Sequence, residues 1–111
     1  MNKKKSRQRF NLVLNPFQVD SLYNALTVSI HNERNIEDED DFNRDYLESL
    51  YKLRDRLIRP RNSRFNMVLS QVQVESLYNG LTCAIDYETE SDDTDFAYLN
   101  TISMIKIRLT K

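Results

Sequence analysis

The chain has 111 residues, of which 40% are hydrophobic and 30% charged, and 16 Lys and Arg face 17 Asp and Glu. This length predicts one domain that is large enough to fold without a disulfide or a structural metal. A single glycine excludes the glycine-rich phosphate loops, and no apolar run is long enough for a membrane span.

The cysteine and histidine content argues against catalysis and indicates a reducing compartment. Cys83 is the only cysteine, which rules out an internal disulfide, and His31 is the only histidine. The chain begins with basic residues, but no apolar stretch of the signal-peptide type follows them. We therefore expect a cytoplasmic protein that is not an enzyme, with no cofactor, no catalytic residue and no metal site.

Two stretches of the chain repeat one another. Residues 9–30 and 64–85 carry the same amino acid at 14 of 22 aligned positions, which predicts an internal duplication. The predicted organisation is a basic flexible arm over 1–8 and a single domain over 9–111, made of repeats 9–59 and 64–111.

Each repeat begins with a short predicted strand. Phe10, Leu12 and Leu14 alternate with the residues between them, which is the period of a half-buried strand. Residues 65–69 show the same alternation in the second repeat.

A helix is predicted directly after each strand. Asn15 and Ser70 provide N-caps, and a glutamine three residues later completes a capping box in both repeats. Apolar residues then recur at helical spacing as far as Ile30 and Ile85, where the pattern ends. His31 is therefore expected just after the first helix, either exposed or near its last carbonyl groups.

Small residues at four-residue spacing form a line on each of these helices, where another helix is expected to pack closely. They are Ser21, Ala25 and Ser29 in the first repeat, and Ser76, Gly80 and Ala84 in the second. Cys83 takes the place of Val28 of the first repeat, so it is interpreted as a small packed side chain.

An acidic connector and a second helix complete each repeat. The connectors are predicted over 33–41 and 86–95. The apolar stripe of the next helix runs from Phe42 to Leu57. In the second repeat the equivalent stripe runs from Tyr98 to Leu109, although its β-branched residues leave a strand open there.

These elements predict an α+β fold built from an internally duplicated β-α-α unit. A two-stranded ribbon is marginal on its own, so the two strands should pair with each other and be covered by the helices. Because the connectors are short, the strands should run antiparallel. The expected result is a two-stranded antiparallel ribbon covered by four helices with approximate twofold symmetry.

Acidic residues of the connectors are the first candidates for a functional site. They are Glu37, Asp38, Glu39, Asp40, Asp41, Asp92, Asp93 and Asp95. A solvated connector with its last acids at a helix N-terminus, contact with a protein partner by phosphate mimicry, and divalent metal binding are all open, although no calcium-loop pattern is present.

Basic residues are the alternative candidates, for nucleic acid. They are Lys3, Lys4, Lys5, Arg7, Arg54, Arg56, Arg59 and Arg61. Such clustering is what phosphate binding requires, but a net charge of −1 and a pI near 5.8 are atypical of nucleic-acid-binding domains.

The sequence therefore favours a small non-catalytic protein-binding regulator or inhibitor, of the kind that phages and mobile elements encode, acting on an unidentified host protein. It would be a monomer or a homodimer with no membrane partner. The alternative is a nucleic-acid-binding regulator that uses the basic arm and the Lys52–Arg64 cluster.

Overall fold

A computed structural model describes residues 9–35, 43–58 and 65–110 of the chain. The elements are, in chain order, β1 (Phe10–Leu14), α1 (Pro16–Arg34), α2 (Arg44–Arg56), β2 (Phe65–Leu69), α3 (Gln71–Thr89) and α4 (Phe96–Arg108). The fold is α+β, as predicted. Each strand has 5 residues, each helix that follows a strand has 19, and α2 and α4 have 13 each.

The strands β1 and β2 pair antiparallel and form a two-stranded ribbon. Leu12 lies opposite Met67 at the centre of the ribbon, and Phe10 lies opposite Leu69. Successive side chains of a strand point to opposite faces, and Leu12, Leu14, Met67 and Leu69 are fully buried on the inner face. The predicted antiparallel pairing of the two strands is confirmed.

The predicted line of small residues is the contact between α1 and α3. All six residues of that line are buried. The Ser29 hydroxyl donates a hydrogen bond of 2.5 Å to the Gly80 carbonyl oxygen. A Cβ atom at position 80 would lie 3.0 Å from Cδ2 of Leu50 on α2, so a larger residue there would require the Leu50 side chain to shift. The expectation of close helix packing at this line is confirmed.

The helices α2 and α4 complete the hydrophobic core with the strands, α1 and α3. The buried residues Ile102 and Ile105 of α4 and Leu109, its C-cap, are three and four positions apart, which places them on one face of a helix. The alternative that this segment forms a strand, which its β-branched residues left open, is therefore wrong. Burial at helical spacing outweighs the local preference for a strand.

The helices α1 and α3 both extend about one turn beyond the end of the apolar pattern. His31 lies inside α1, not after it, and its side chain is exposed. Asp86, expected in a connector, lies inside α3.

A carboxylate in the last turn of each long helix fixes the start of the next helix. Glu33 Oε2 accepts a hydrogen bond of 3.1 Å from the backbone N–H of Asn43, the N-cap of α2. Glu88 Oε2 accepts one of 2.7 Å from the N–H of Asp95, the N-cap of α4. The extra helical turn is needed to place these two carboxylates.

Candidate functional site

The outer face of the ribbon is exposed in the described part of the chain. Asn11 and Val13 of β1, with Asn66 and Val68 of β2, point away from the core. Val13 is 38% exposed and Val68 is 37% exposed. The register places Asn11 opposite Val68 and Val13 opposite Asn66. Each cross-strand pair therefore joins an asparagine to a valine, with the asparagine on β1 in one pair and on β2 in the other. We call these four residues the ribbon face.

An arginine from each of the shorter helices reaches the backbone of the ribbon. Arg56 Nη2 donates a hydrogen bond of 3.0 Å to the carbonyl oxygen of Val68. Arg108 Nη2 donates one of 2.9 Å to the carbonyl oxygen of Val13. Two guanidinium groups at equivalent positions therefore place positive charge beside the ribbon face.

The sequence around both strands is basic and free of acids. Residues 3–19 contain five Lys and Arg, residues 56–74 contain four Arg, and neither stretch contains Asp or Glu. The net charge of −1 therefore hides a separation of charge along the chain. The acids lie in other segments than those that contain the ribbon.

The predicted basic site residues divide into two groups in the structure. Arg56 lies at the ribbon, whereas Arg54 points into a groove between α1 and α2. The other predicted residues of this set lie outside the described residues: Lys3, Lys4, Lys5, Arg7, Arg59 and Arg61.

The predicted acidic site residues of the second connector have different surroundings. Asp95 is the N-cap of α4, and its Oδ1 accepts a hydrogen bond of 3.1 Å from the N–H of Tyr98. Asp92 and Asp93 are exposed in the turn before it. The acids of the first connector lie outside the described residues: Glu37, Asp38, Glu39, Asp40 and Asp41. Asp95 therefore has a structural role that explains its presence.

The outer side of α4 carries three large exposed apolar side chains where α2 carries charged ones. Phe96 is 68% exposed, Met104 61% and Ile107 56%. The residues of α2 at the same three helical positions are Arg44, Lys52 and Asp55. Exposed apolar side chains on one helix face are a feature of protein interaction surfaces.

The single cysteine has the surroundings of a packed side chain. Cys83 is half-buried on α3, and burial raises the pKa of its thiol. Since the thiolate is the nucleophilic form, this environment does not activate it. Among the described residues, no group of three or more His, Cys, Asp or Glu side chains is arranged to hold a metal ion.

The chain matches no family model, no curated protein sequence and no solved structure. Within the described residues, no helix has the length and apolar character needed to cross a membrane.

Sequence reasoning did not identify the ribbon face. The available signal was the recurrence of Asn and Val at outward strand positions in both repeats, inside a long acid-free stretch. Identical surface residues are equally explained by a recent duplication, and only the tertiary structure shows which face of the ribbon is left uncovered.

Proposed function

We propose that the protein binds duplex DNA and reads it with the ribbon face. The main support is the exposed antiparallel ribbon with its paired Asn and Val side chains. The major groove of B-DNA is about 12 Å wide and admits a two-stranded β-ribbon. An asparagine amide can form two hydrogen bonds with adenine, and an apolar side chain can contact the methyl group of thymine.

The charges around the ribbon support the same proposal. Arg56 and Arg108 stand beside the ribbon face and are available to neutralise phosphates on the two sides of the groove. The stretches of sequence that contain the two strands are also basic and free of acids. This distribution supports nucleic acid as the partner, although the net charge of the whole chain is atypical of nucleic-acid-binding domains.

We also infer that the chain arose by duplication and that its halves are related by an approximate twofold axis near Leu12 and Met67. The repeated sequence and the equal lengths of equivalent elements support this inference. A twofold-symmetric ribbon face would read a pseudo-palindromic site, because equivalent side chains would meet equivalent bases on the two strands. A regulator of this kind would act in the cytoplasm.

Selection of binding sites from a pool of random duplexes, followed by titration of the selected duplex, tests the proposal. We expect a pseudo-palindromic site and a binding constant that falls steeply with salt concentration. Replacing both Asn11 and Asn66 with alanine should remove the preference for the selected site, since a good bidentate base contact contributes about 1–3 kcal/mol of discrimination.

The chain offers a matched control for this experiment. Asn24 and Asn79 are another identical and exposed pair, but they lie on α1 and α3. Their double replacement with alanine should leave the site preference intact. Equal losses in the two double variants, or no DNA binding by the native chain at low salt, would refute the proposal.

A protein partner remains the second candidate function, and the outer side of α4 favours it. Phe96, Met104 and Ile107 offer an apolar surface that α2 lacks. A photoreactive amino acid at position 104 should cross-link a protein partner or a second copy of the chain. The same amino acid at position 52, the equivalent place on α2, should not. Equal cross-linking from both positions would contradict this second proposal.

A further inference from the structure

We propose that the groove between α1 and α2 binds a small ligand that carries a phosphate group. Its volume is about 470 Å³, which lies within the usual range of small-molecule sites, about 300–1,000 Å³. Among the described residues, the polar lining is rich in hydrogen-bond donors and contains no carboxylate: Thr27, His31, Arg34, Asn35, Tyr51 and Arg54. We call this site the basic groove.

The guanidinium of Arg54 is held in place by the residues around it. Its central carbon lies 5.6 Å from the ring centroid of Tyr23 and 5.5 Å from that of Tyr51. Its Nη1 donates a hydrogen bond of 3.2 Å to Oγ1 of Thr27, and its Nε is buried without a hydrogen-bond partner. Stacking on aromatic rings orients the planar group before any ligand arrives.

A second arginine faces the same groove. Arg34 Nη1 donates a hydrogen bond of 3.1 Å to the hydroxyl of Tyr51, so that tyrosine contacts both arginines. Within the described residues neither guanidinium donates a hydrogen bond to a carboxylate. Two guanidinium groups with N–H groups to spare suit the oxygens of a phosphate, which accept paired hydrogen bonds from arginine.

The second half of the chain has less positive charge at the equivalent positions. The positions equivalent to His31, Arg34, Asn35 and Arg54 hold Asp86, Thr89, Glu90 and Lys106. Lys106 keeps only the cation–ring contact, with Nζ 4.9 Å from the Tyr78 ring centroid.

Basic residues at a helix C-terminus are favoured by the helix dipole, which would explain His31 and Arg34 without any ligand. However, α3 has the same length as α1 and forms with no basic residue in its last turn. The dipole therefore does not require this charge, and the dipole effect does not account for Arg54, which comes from α2.

The basic groove is separate from the ribbon face. None of the residues that line the groove belongs to the ribbon face, and Arg54 lines the groove whereas Arg56 contacts the ribbon. DNA binding by the ribbon face and phosphate binding by the basic groove can therefore be tested independently. The experiment below distinguishes a free phosphate ligand from the phosphates of DNA.

Titration of the full chain with inorganic phosphate at constant ionic strength tests the inference. Phosphate should raise the Tm and shift the NMR signals of the arginine Nε–H groups, including that of Arg54. The R34Q variant should bind phosphate about tenfold or more weakly, since hydrogen bonds to charged groups are strong. Arg34 is exposed, so its replacement should leave the fold intact.

Two further variants make the result specific. R54K keeps the charge but loses the planar fork, and should also weaken phosphate binding. K106Q removes the cation at the equivalent position of α4 and should leave phosphate binding unchanged. DNA affinity should be the same in R34Q and the native chain.

Two results would overturn the inference. The first is a rise of Tm with phosphate that is equal in the native chain and R34Q, since it would reflect a general salt effect. The second is the absence of any change in Tm or in the NMR signals when phosphate is added. If R34Q had also lost DNA affinity, the groove would be a contact for DNA phosphates instead.

Discussion

The hydroxyl of Ser29 on α1 donates a hydrogen bond to the backbone carbonyl oxygen of Gly80 on α3. The positions equivalent to these two residues hold Ala84 and Ala25, and both alanines are buried. The hydroxyl of Ser29 therefore faces a glycine. The equivalent pair of positions, Ala84 and Ala25, has neither a hydroxyl nor a glycine. The two halves therefore differ in sequence at this contact between α1 and α3.

Replacing Ser29 with alanine should lower the free energy of unfolding by about 1 kcal/mol, the usual net contribution of a buried hydrogen bond. Urea unfolding measures this change. Ser21 lies on the same buried line of α1, and its replacement with alanine is the matched comparison. An equal loss in both variants would mean that the bond to Gly80 contributes nothing of its own.

The arginines beside the ribbon should determine part of the salt dependence of DNA binding. In the R56Q/R108Q double variant we expect the slope of log K against log salt to fall by about 0.9 for each phosphate that is no longer neutralised. The R44Q/K52Q variant changes the net charge equally, but on the exposed outer side of α2. An unchanged slope in R56Q/R108Q, or an equal fall in R44Q/K52Q, would show that these arginines do not bind DNA phosphates.

The hydroxyl of Tyr98 is buried without a hydrogen-bond partner in the structure. A buried polar group without a partner costs free energy, so replacing Tyr98 with phenylalanine should raise the free energy of unfolding by about 1 kcal/mol. Replacing Tyr46, at the equivalent position of α2, should stabilise the protein less. Urea unfolding of the two variants decides, and a loss of stability in Y98F would contradict the prediction.

The same two tyrosines predict a loss of stability at high pH. Burial, with smaller effects from neighbouring acidic groups, raises the pKa of Tyr46 and of Tyr98 from 10.0 to about 12. Between these values the native state keeps protons that the unfolded chain releases, so the free energy of unfolding falls as the pH rises from 10 to 12. The Y46F/Y98F variant should show a shallower fall over that range. An identical fall would exclude these two groups as its source.

Local patterns in the sequence were sufficient to predict most of the secondary structure. The alternation in residues 10–14 and 65–69, with the capping boxes at Asn15 and Ser70, predicts the starts of both long helices correctly. The ends were predicted one turn too early. The apolar pattern stops where the core stops, whereas Glu33 and Glu88 act through single hydrogen bonds that leave no periodic signal.

The candidate sites could not be predicted in the same way, because they depend on which surfaces the helices leave uncovered. Asn11 and Val68 are ordinary strand residues until the ribbon is seen to expose that face. Arg34 and Arg54 are 20 positions apart, and only the packing of α1 against α2 brings them to one groove. The acidic connectors, in contrast, are conspicuous in sequence, but Asp95 proves to be a helix cap.

A fragment of the chain tests the inferred duplication and twofold symmetry. The fragment of residues 8–59 contains β1 without its partner strand β2. The edge of β1 would therefore be open for pairing. Two such fragments can rebuild an antiparallel ribbon around a true twofold axis, as a self-complementary dimer. We expect a folded dimer that unfolds on dilution, measured by sedimentation over a concentration series. A stably folded monomer would show that the halves are independent units.

The packing of Leu50 against Gly80 predicts how tightly this fragment dimer forms. In the dimer, Ala25 would stand where the full chain has Gly80, and a Cβ atom there lies 3.0 Å from a methyl group of Leu50. This crowding occurs twice around the twofold axis, so it should weaken the dimer, because overpacking a filled core is destabilising. Replacing Ala25 with glycine in the fragment should remove both close contacts and favour dimerisation, although glycine costs about 1 kcal/mol of helix propensity for each chain. A tighter dimer of the A25G fragment would place the two halves in the same relative arrangement as in the full chain. A dimer weakened by more than the helix-propensity cost of the two glycines would mean that the fragments associate in a different way.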